Sequence, residues 1–149
     1  MSVIRLEPRL LAGVAALEKE VFATPWSERS LELLCSESGF GFAIMAGDAV
    51  IAYGGMLTVL DEGQITNIAT HPDYRRKGLA GSVLRALLDE ARARGITSVT
   101  LEARVSNAAA IALYEKFGFA VVGKRSRFYT QPTEDALTML LEMSGQNTP

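Results

Sequence analysis

The chain places three cations and a glycine next to one another near its middle. The segment reads Arg75-Arg76-Lys77-Gly78-Leu79-Ala80-Gly81. It follows a strand-like run at 64–70 and precedes an apolar pattern of helical period, so it falls where a loop becomes a helix. Free backbone N–H groups and the positive end of the helix dipole meet at such a position and attract an anion. The segment therefore predicts a site for a phosphate chain on an acidic cofactor.

Two standard phosphate-binding motifs do not describe this segment. A Walker loop requires G-x-x-x-x-G-K-[ST], and the dinucleotide-binding fingerprint requires G-x-G-x-x-G with an acidic residue further on. Gly78 and Gly81 are the glycines available here, and they fit neither spacing. From the residues alone, a solvated basic turn remains the alternative interpretation.

Length and composition restrict the class of protein. The 149 residues predict one domain spanning 1–149, with a frayed tail at about 144–149. The net charge of −2 disfavours general nucleic-acid binding. A single cysteine, Cys35, and a single histidine, His71, exclude an internal disulfide and disfavour a zinc ligand set, so no metal is expected. No apolar run approaches the roughly 20 residues of a membrane span, so we expect no membrane partner and a cytoplasmic location.

Periodicity divides the chain into strands and helices. Predicted strands cover 3–6, 40–46, 49–60, 64–70, 96–103, 119–127 and 136–143. Predicted helices run from Leu10 to Phe22, from Ser27 toward Gly39, from Leu79 to Gly95, and from Ser106 or Asn107 to Phe117. The second, third and fourth strands form an antiparallel meander. The strand at 96–103 lies parallel to the strand at 64–70, because a crossover helix joins them.

The sequence resembles the GNAT family of N-acetyltransferases. The arrangement Arg75-x-x-Gly78-x-Ala80 is similar to the Q/R-x-x-G-x-G/A signature of that family, and the order of strands and helices is similar too. The resemblance implies a mixed α/β fold, with a mixed, mostly antiparallel sheet of about seven strands flanked by about four helices. It also implies a splayed parallel pair of strands, which leaves a cleft in the sheet.

The same resemblance implies acetyl-CoA as the cosubstrate. Its pyrophosphate would be bound by the backbone amides of one segment: Arg76, Lys77, Gly78, Leu79, Ala80 and Gly81. Positive charge would be added by the side chains of Arg75, Arg76 and Lys77. The pantetheine arm would pair with the main chain of Ile68, Ala69 and Thr70, as extended ligands do with unpaired strand edges.

A second stretch narrows the resemblance. It reads Leu101-Glu102-Ala103-Arg104-Val105-Ser106-Asn107-Ala108-Ala109-Ala110-Ile111-Ala112-Leu113-Tyr114-Glu115-Lys116-Phe117-Gly118-Phe119. Together with Pro25-Trp26-Ser27, Asn67-Ile68-Ala69 and Glu134-Asp135-Ala136-Leu137, it is similar to the ribosomal-protein-alanine N-acetyltransferases. That similarity implies acetylation of the N-terminal alanine of a small-subunit ribosomal protein, whose flexible N-terminus enters a groove. We expect direct transfer in a ternary complex, because neither Cys35 nor His71 sits in a nucleophilic arrangement.

The resemblance assigns catalytic roles to two residues. Glu102 corresponds to the general base for the amine, and Tyr114 to the general acid that protonates the departing thiolate. Structural alternatives exist for both. Glu102 shares a strand face with Arg104 and could form an ion pair with it, and Tyr114 lies on an apolar helical face. Asn107 corresponds to a cofactor contact, but it fits a helix cap equally well.

Reference pKa values favour an α-amine as the acceptor. At pH 7.5 roughly a quarter of α-amines are neutral, against about one in a thousand lysines. Acetylation of lysines or small amines is the enzymatic alternative, and a non-catalytic acetyl-CoA-binding regulatory module is the alternative of another class. Near the groove, Tyr129 is expected to contact substrate. Four acidic residues could attract a basic peptide or simply be solvated: Asp61, Glu62, Glu134 and Asp135.

Overall fold

A seven-stranded sheet forms the centre of the computed structural model, which describes residues 2–143. The strands are β1 (Val3–Arg5), β2 (Gly39–Ala46), β3 (Ala49–Val59), β4 (Glu62–Thr70), β5 (Ser98–Arg104), β6 (Ala120–Tyr129) and β7 (Glu134–Glu142). In the described residues the α-helices are α1 (Leu11–Val21), α2 (Glu28–Leu31), α3 (Leu79–Ala93) and α4 (Ala108–Lys116). The predicted tail at about 144–149 lies outside the described residues.

The strands lie in the order β1-β2-β3-β4-β5-β7-β6. Every neighbouring pair is antiparallel except β4 and β5, which are parallel. α3 joins these two strands and provides the crossover that a parallel pair requires. The mixed, mostly antiparallel sheet of the prediction is thereby confirmed.

The second helix is shorter than the sequence predicts. Ser27 caps it as expected, because its hydroxyl accepts a hydrogen bond from the N–H of Ser30 at 3.1 Å. The α-helix nevertheless ends at Leu31, and a tighter 3₁₀ turn over Glu32–Cys35 replaces the helix predicted toward Gly39. The helical pattern in the sequence does not distinguish these two kinds of turn, because both place every third or fourth residue on one face.

The ends of several strands also differ from the predicted ends by one or two residues. The fifth strand begins at Ser98 instead of residue 96, because the N–H of Ile96 donates to the carbonyl of Ala91 and closes the turn after α3. The fourth strand begins earlier than predicted, at Glu62, which pairs with Val59 of β3. Such ends depend on pairing between strands, which local patterns do not encode.

Each face of the sheet carries its own apolar cluster. On one face, called the α3 face here, α3 packs through fully buried residues that include Val83 and Leu87. Gly54 of β3 permits this close approach, since a Cβ there would lie 2.7 Å from Cγ1 of Val83. On the opposite α1 face, α1 packs through Val14 and Leu17. The sheet is therefore packed between α3 on one face and α1 on the other.

Candidate active site

β4 and β5 run side by side only at their first residues. The paired positions are Glu62 with Ser98, Gly63 with Val99 and Gln64 with Thr100. Beyond Gln64 the described residues show no further pairing between them, although β4 continues to Thr70 and β5 to Arg104. The predicted splayed pair is therefore present. Main-chain groups along one edge of β4 face a gap instead of a neighbouring strand.

A β-bulge in β4 explains the separation of the two strands. The register between β3 and β4 shifts by one residue, so Thr66 and Asn67 together oppose a single residue of β3. The shift places Ile65 and Ile68 on the α3 face although they are three residues apart, whereas strict alternation would put them on opposite faces. An extra residue bends the strand that contains it. The bend turns the second half of β4 away from β5.

The gap opens into a cavity of about 730 Å³. Its walls come from the β4 bulge, the end of β5, the first turns of α4, and the loops that follow α1 and β6. Glu102 and Tyr114, the two predicted catalytic residues, both line this cavity. Of the predicted cofactor residues, Ile68 and Asn107 line it as well. The cationic segment at 75–81 lies outside it.

That segment forms the exposed start of α3. Gly78 precedes the helix in the left-handed region, with φ of +76°, and within the described part of the chain no side chain caps this helix end. The N–H of Ser82 donates to the carbonyl of Gly78 at 3.1 Å and closes the first turn. The N–H groups of Leu79, Ala80 and Gly81 have no carbonyl four residues earlier in the helix, so they are available to an anion.

The residues flanking this helix start differ in what they can offer a ligand. Arg75 is tied to the end of β4, because its Nε donates to the carbonyl oxygen of Thr70 at 3.2 Å. Arg76 has a φ of +64°, a conformation in which a non-glycine residue is strained. Leu79 and Ala69 are buried, so they can serve a ligand through main-chain groups and not through side chains.

Glu102 is half-buried on β5, and its side chain lies on the α1 face. It alternates with Leu101 and Ala103, which belong to the cluster on the α3 face. Its carboxylate accepts a long hydrogen bond, 3.4 Å, from Nε2 of Gln64 across the two strands. The alternative ion pair with Arg104 is not formed in the described structure, where that guanidinium has other partners.

Arg104 instead fixes the loop between β6 and β7. Its Nη1 lies 3.1 Å from Oε1 of Glu134 and donates to the carbonyl of Pro132 at 3.0 Å. Its Nη2 donates to the carbonyl of Thr130 at 3.0 Å. The guanidinium also lies 4.4 Å from the centre of the Tyr129 ring, within cation–π range. Arg104 thus holds Tyr129 and the loop beside the cavity.

The four acidic residues considered for attracting the acceptor have other surroundings. Glu134 accepts the N–H of Ser106 at 2.7 Å, and hydrogen bonding to Ser106 is the main cause that lowers the pKa of Glu134. Asp135 accepts a main-chain N–H of β6 and pairs with a lysine of the same strand. Asp61 and Glu62 lie at the closed end of the β4–β5 pair. Three of the four therefore lie away from the cavity, and the fourth is neutralised by Arg104.

Tyr114 lies on α4, beside the gap and on the α3 face. Only 9% of the residue is exposed, and its ring meets that of Phe119 edge-on at a centroid distance of 6.0 Å. Burial, with a smaller contribution from Tyr129, raises the pKa of Tyr114 to about 12. The phenol therefore keeps its proton near neutral pH. The ring packs in the core as the structural alternative predicts, and the residue also lines the cavity.

Asn107 forms the predicted helix cap. Its Oδ1 accepts a hydrogen bond from the N–H of Ala110 at 3.2 Å. Because Asn107 also lines the cavity, the cap leaves the predicted cofactor contact possible, and that contact stays a prediction.

Glu18, which is not among the predicted site residues, has no exposed surface. Its carboxylate accepts hydrogen bonds from the Tyr53 hydroxyl, from Nδ2 of Asn67 and from the main-chain N–H of Trp26. A signal was present, because Glu18 follows Val14 by four residues and falls on the apolar stripe of α1. A charged residue on such a stripe indicates a buried polar contact.

Comparisons with known proteins agree with this architecture. Residues 11–119 match the acetyltransferase (GNAT) family. The chain is 38% identical over 145 residues to the ribosomal protein bS18-alanine N-acetyltransferase of Escherichia coli (strain K12), covering 96% of this chain and 98% of that protein. The crystal structure of the ribosomal-protein-S18-alanine N-acetyltransferase from Escherichia coli has a TM-score of 0.87 and 38% identity, covering 99% and 98% of the two chains. A crystal structure of the NatC complex bound to Gag peptide and CoA, at 22% identity, shares the fold with a TM-score of 0.82 over 97% and 100% of the chains.

The fold and the site define an acyltransferase built around a split parallel strand pair. The chain belongs to the GNAT acetyltransferase family, as its sequence predicts. Among the described residues, no group of three or more His, Cys, Asp and Glu side chains could hold a metal ion. No helix in that part of the chain is long and apolar enough to cross a membrane.

Proposed function

We propose that the protein acetylates the N-terminal α-amine of an alanine on a small-subunit ribosomal protein, with acetyl-CoA as the donor. The observation that carries the proposal is the gap between β4 and β5, with Glu102 on one side of the sheet and Tyr114 on the other. A relative 38% identical over nearly the whole chain is named for alanine acetylation on ribosomal protein bS18, which supports this acceptor. Residues 1–149 then form one enzymatic domain that acts in the cytoplasm.

The residues at the gap suit acetyl-CoA, which supplies an activated thioester when bound. The N–H groups at 76–81 hold its pyrophosphate, because the start of α3 is uncapped and lies beside three cations. The free edge of β4 at 68–70 hydrogen-bonds the pantetheine amides through its main chain. Arg75 steadies this edge through its bond to Thr70, and Asn107 adds a contact from the start of α4.

The two catalytic residues act from opposite faces of the sheet. On the α1 face, Glu102 takes a proton from the acceptor ammonium, directly or through a water molecule, so that the neutral nitrogen attacks the thioester carbonyl. On the α3 face, Tyr114 gives its proton to the sulfur as the carbon–sulfur bond breaks. The nitrogen then loses its second proton to water, which leaves a neutral amide and CoA as a free thiol without a covalent enzyme intermediate. Glu102 and Tyr114 regain their starting protonation states by exchange with solvent. Because burial raises the pKa of Tyr114 to about 12, its phenol is protonated while Glu102 accepts a proton.

The α1 face provides a wall for the acceptor peptide. Trp26 and Leu57 contribute apolar surface there, and Tyr129, the last residue of β6, precedes the loop that Arg104 fixes. Glu102 is the acidic group that reaches the cavity from β5, and no guanidinium neutralises it in the described structure. A peptide ammonium entering from this face therefore meets Glu102 first. An α-amine suits this base better than a lysine amine, because its ordinary pKa lies near 8 and not near 10.4.

The acceptor is tested with three sets of peptides. The purified enzyme and acetyl-CoA are incubated with alanine-initiated peptides, with the same peptides blocked at the N-terminus, and with internal-lysine peptides, and mass spectrometry locates the acetyl group. We expect acetyl on the free alanine amine and none on the blocked peptides. Modification of lysine alone would replace the proposal by the lysine alternative. Tight acetyl-CoA binding without transfer to any amine would favour the regulatory module.

The assigned roles are tested by replacing Glu102 with glutamine. We expect Glu102→Gln to lower kcat by about 100-fold or more, because general-base catalysis contributes on that scale. Acetyl-CoA affinity should stay close to that of the wild type. Glu115→Gln, at an exposed position on α4, is the matched charge control and should keep wild-type kcat. A Glu102→Gln variant with wild-type kcat would remove Glu102 from the mechanism.

A further inference from the structure

Glu18 is a buried carboxylate whose contacts join three parts of the molecule. It accepts a hydrogen bond from the hydroxyl of Tyr53 on β3. It also accepts hydrogen bonds, each of 2.8 Å, from Nδ2 of Asn67 in the β4 bulge and from the main-chain N–H of Trp26 in the loop after α1. Glu18 is the one charged residue in the described chain that has no exposed surface. Its three partners are neutral donors, and none is a cation.

A carboxylate in this position is harder to bury than an apolar side chain of the same volume. On burial its oxygen atoms lose their contacts with water, which is unfavourable unless protein donors replace those contacts. The three donors compensate only while each stays within hydrogen-bond distance of the carboxylate. Glu18 therefore fixes the positions of Asn67 and Trp26 relative to one another, even though they belong to separate segments.

Both of these partners line the cavity beside the gap. Asn67 belongs to the bulge that turns β4 away from β5. Trp26 belongs to the wall segment, defined as residues 21–26, which lines the cavity on the α1 face. The link through Glu18 thus joins the wall segment to the β4 bulge. Tyr53, which donates its hydroxyl hydrogen bond to the same carboxylate, is buried in the core and does not line the cavity.

We propose that Glu18 is a positioning residue for the acceptor peptide. It holds the wall segment against the β4 bulge, so that the peptide N-terminus is directed to Glu102 at the gap. This inference rests on the proposed function, since it requires an acceptor amine that enters from the α1 face. It assigns Glu18 no contact with the reacting atoms.

The test compares acceptor and donor kinetics in a Glu18→Gln variant. Glutamine keeps the shape, but it replaces one acceptor oxygen by an NH₂ group that faces the same donors. At saturating acetyl-CoA, we expect the KM for an alanine-initiated peptide to rise about tenfold or more, with kcat and the acetyl-CoA Kd within about twofold of wild type. Glu20→Gln, at an exposed position on α1, is the matched control.

Two further variants separate positioning from general stability. Tyr53→Phe removes one donor but leaves the link between Asn67 and Trp26 intact, so it should lower the melting temperature and leave the acceptor KM within about twofold. If Glu18→Gln does not fold, Asn67→Ala breaks the link from the strand side and should raise the acceptor KM. An unchanged acceptor KM in the variants that break the link, or an equal rise in Tyr53→Phe, would overturn the inference.

Acetylation assays of the wild-type enzyme distinguish a failure of this inference from a failure of the proposed function. If it does not acetylate the alanine peptide, the proposed acceptor is wrong, and the KM comparison is made on the amine that it does acetylate. If it acetylates no amine, no acceptor needs positioning and the inference fails with it.

Discussion

Replacing Gly78 by alanine tests whether the start of α3 binds the pyrophosphate. Gly78 has φ of +76°, and a Cβ built there meets no atom within 4 Å. The methyl group therefore causes no clash within the protein. It adds the strain of a left-handed L-residue, about 1 kcal/mol. For a chain of this length, that loss lowers the melting temperature by roughly 2–4 °C.

The matched control is Gly95→Ala, at the other end of the same helix. Gly95 has φ of +79°, and its Cβ position is equally open. Both variants should lose about the same stability, because the backbone strain is the same. Only Gly78→Ala places a methyl group where the proposed pyrophosphate approaches the helix amides. Loss of a charge-assisted hydrogen bond costs about 1.5–3 kcal/mol, so acetyl-CoA should bind at least about tenfold more weakly.

Calorimetric titration with acetyl-CoA and thermal melting of both variants measure the two quantities separately. We expect matching melting temperatures, with a weakened Kd confined to Gly78→Ala. Equal acetyl-CoA affinity in the two variants, at equal stability, would show that the anion does not lie at the start of α3. The assignment of the amides at 76–81 would then be withdrawn.

Three other predictions concern the loop, the acid and the fold. Arg104→Met removes an ion pair and two loop hydrogen bonds, so the acceptor KM should rise about tenfold or more in steady-state assays, whereas Arg125→Met on β6 should not change it. Because the pKa of Tyr114 is raised to about 12, kcat should show no Tyr114-dependent decline up to pH 10.5; a limb near pH 10 that Tyr114→Phe abolishes would contradict this. Two arginines lower the pKa of Glu90 below its ordinary 4.5, so its stabilisation exists above that pH and is lost as pH falls through the lowered folded value. Chemical denaturation should therefore show wild type more stable than Glu90→Gln at pH 7, with a difference that shrinks on acidification; a difference independent of pH would refute it.

Local signals in the sequence were enough to predict the main elements and the candidate donor site. The cationic segment and Gly78 mark a helix start, and the apolar stripe after them identifies a crossover helix. These features involve residues within a few positions of one another, so short-range periodicity and capping preferences describe them. The structure confirms the predicted fold class, and it also shows the splayed parallel pair that the family resemblance implied.

The candidate catalytic residues were also named from the sequence, but their arrangement was not. Alternation along β5 predicts that Glu102 shares a face with Arg104, and the structure agrees. It does not predict the partner of either side chain. Arg104 binds Glu134, which is 30 residues away, and Glu102 contacts Gln64, which is 38 residues away. Which of many distant groups a long side chain meets depends on how the strands pair.

The sequence by itself determined the order of strands and helices and the helix start at Gly78, and its family resemblance named a candidate base and a candidate acid. Only the tertiary structure decided that a bulge at Thr66 and Asn67 opens the sheet, and that Glu102 and Tyr114 flank the opening from opposite faces. It also decided that Glu18 is buried, through a contact with Asn67 across 49 residues. The physical reason is that strand register and the burial of a charge are set by cooperative packing between segments far apart in the chain, whereas helix ends and turns are set by their neighbours.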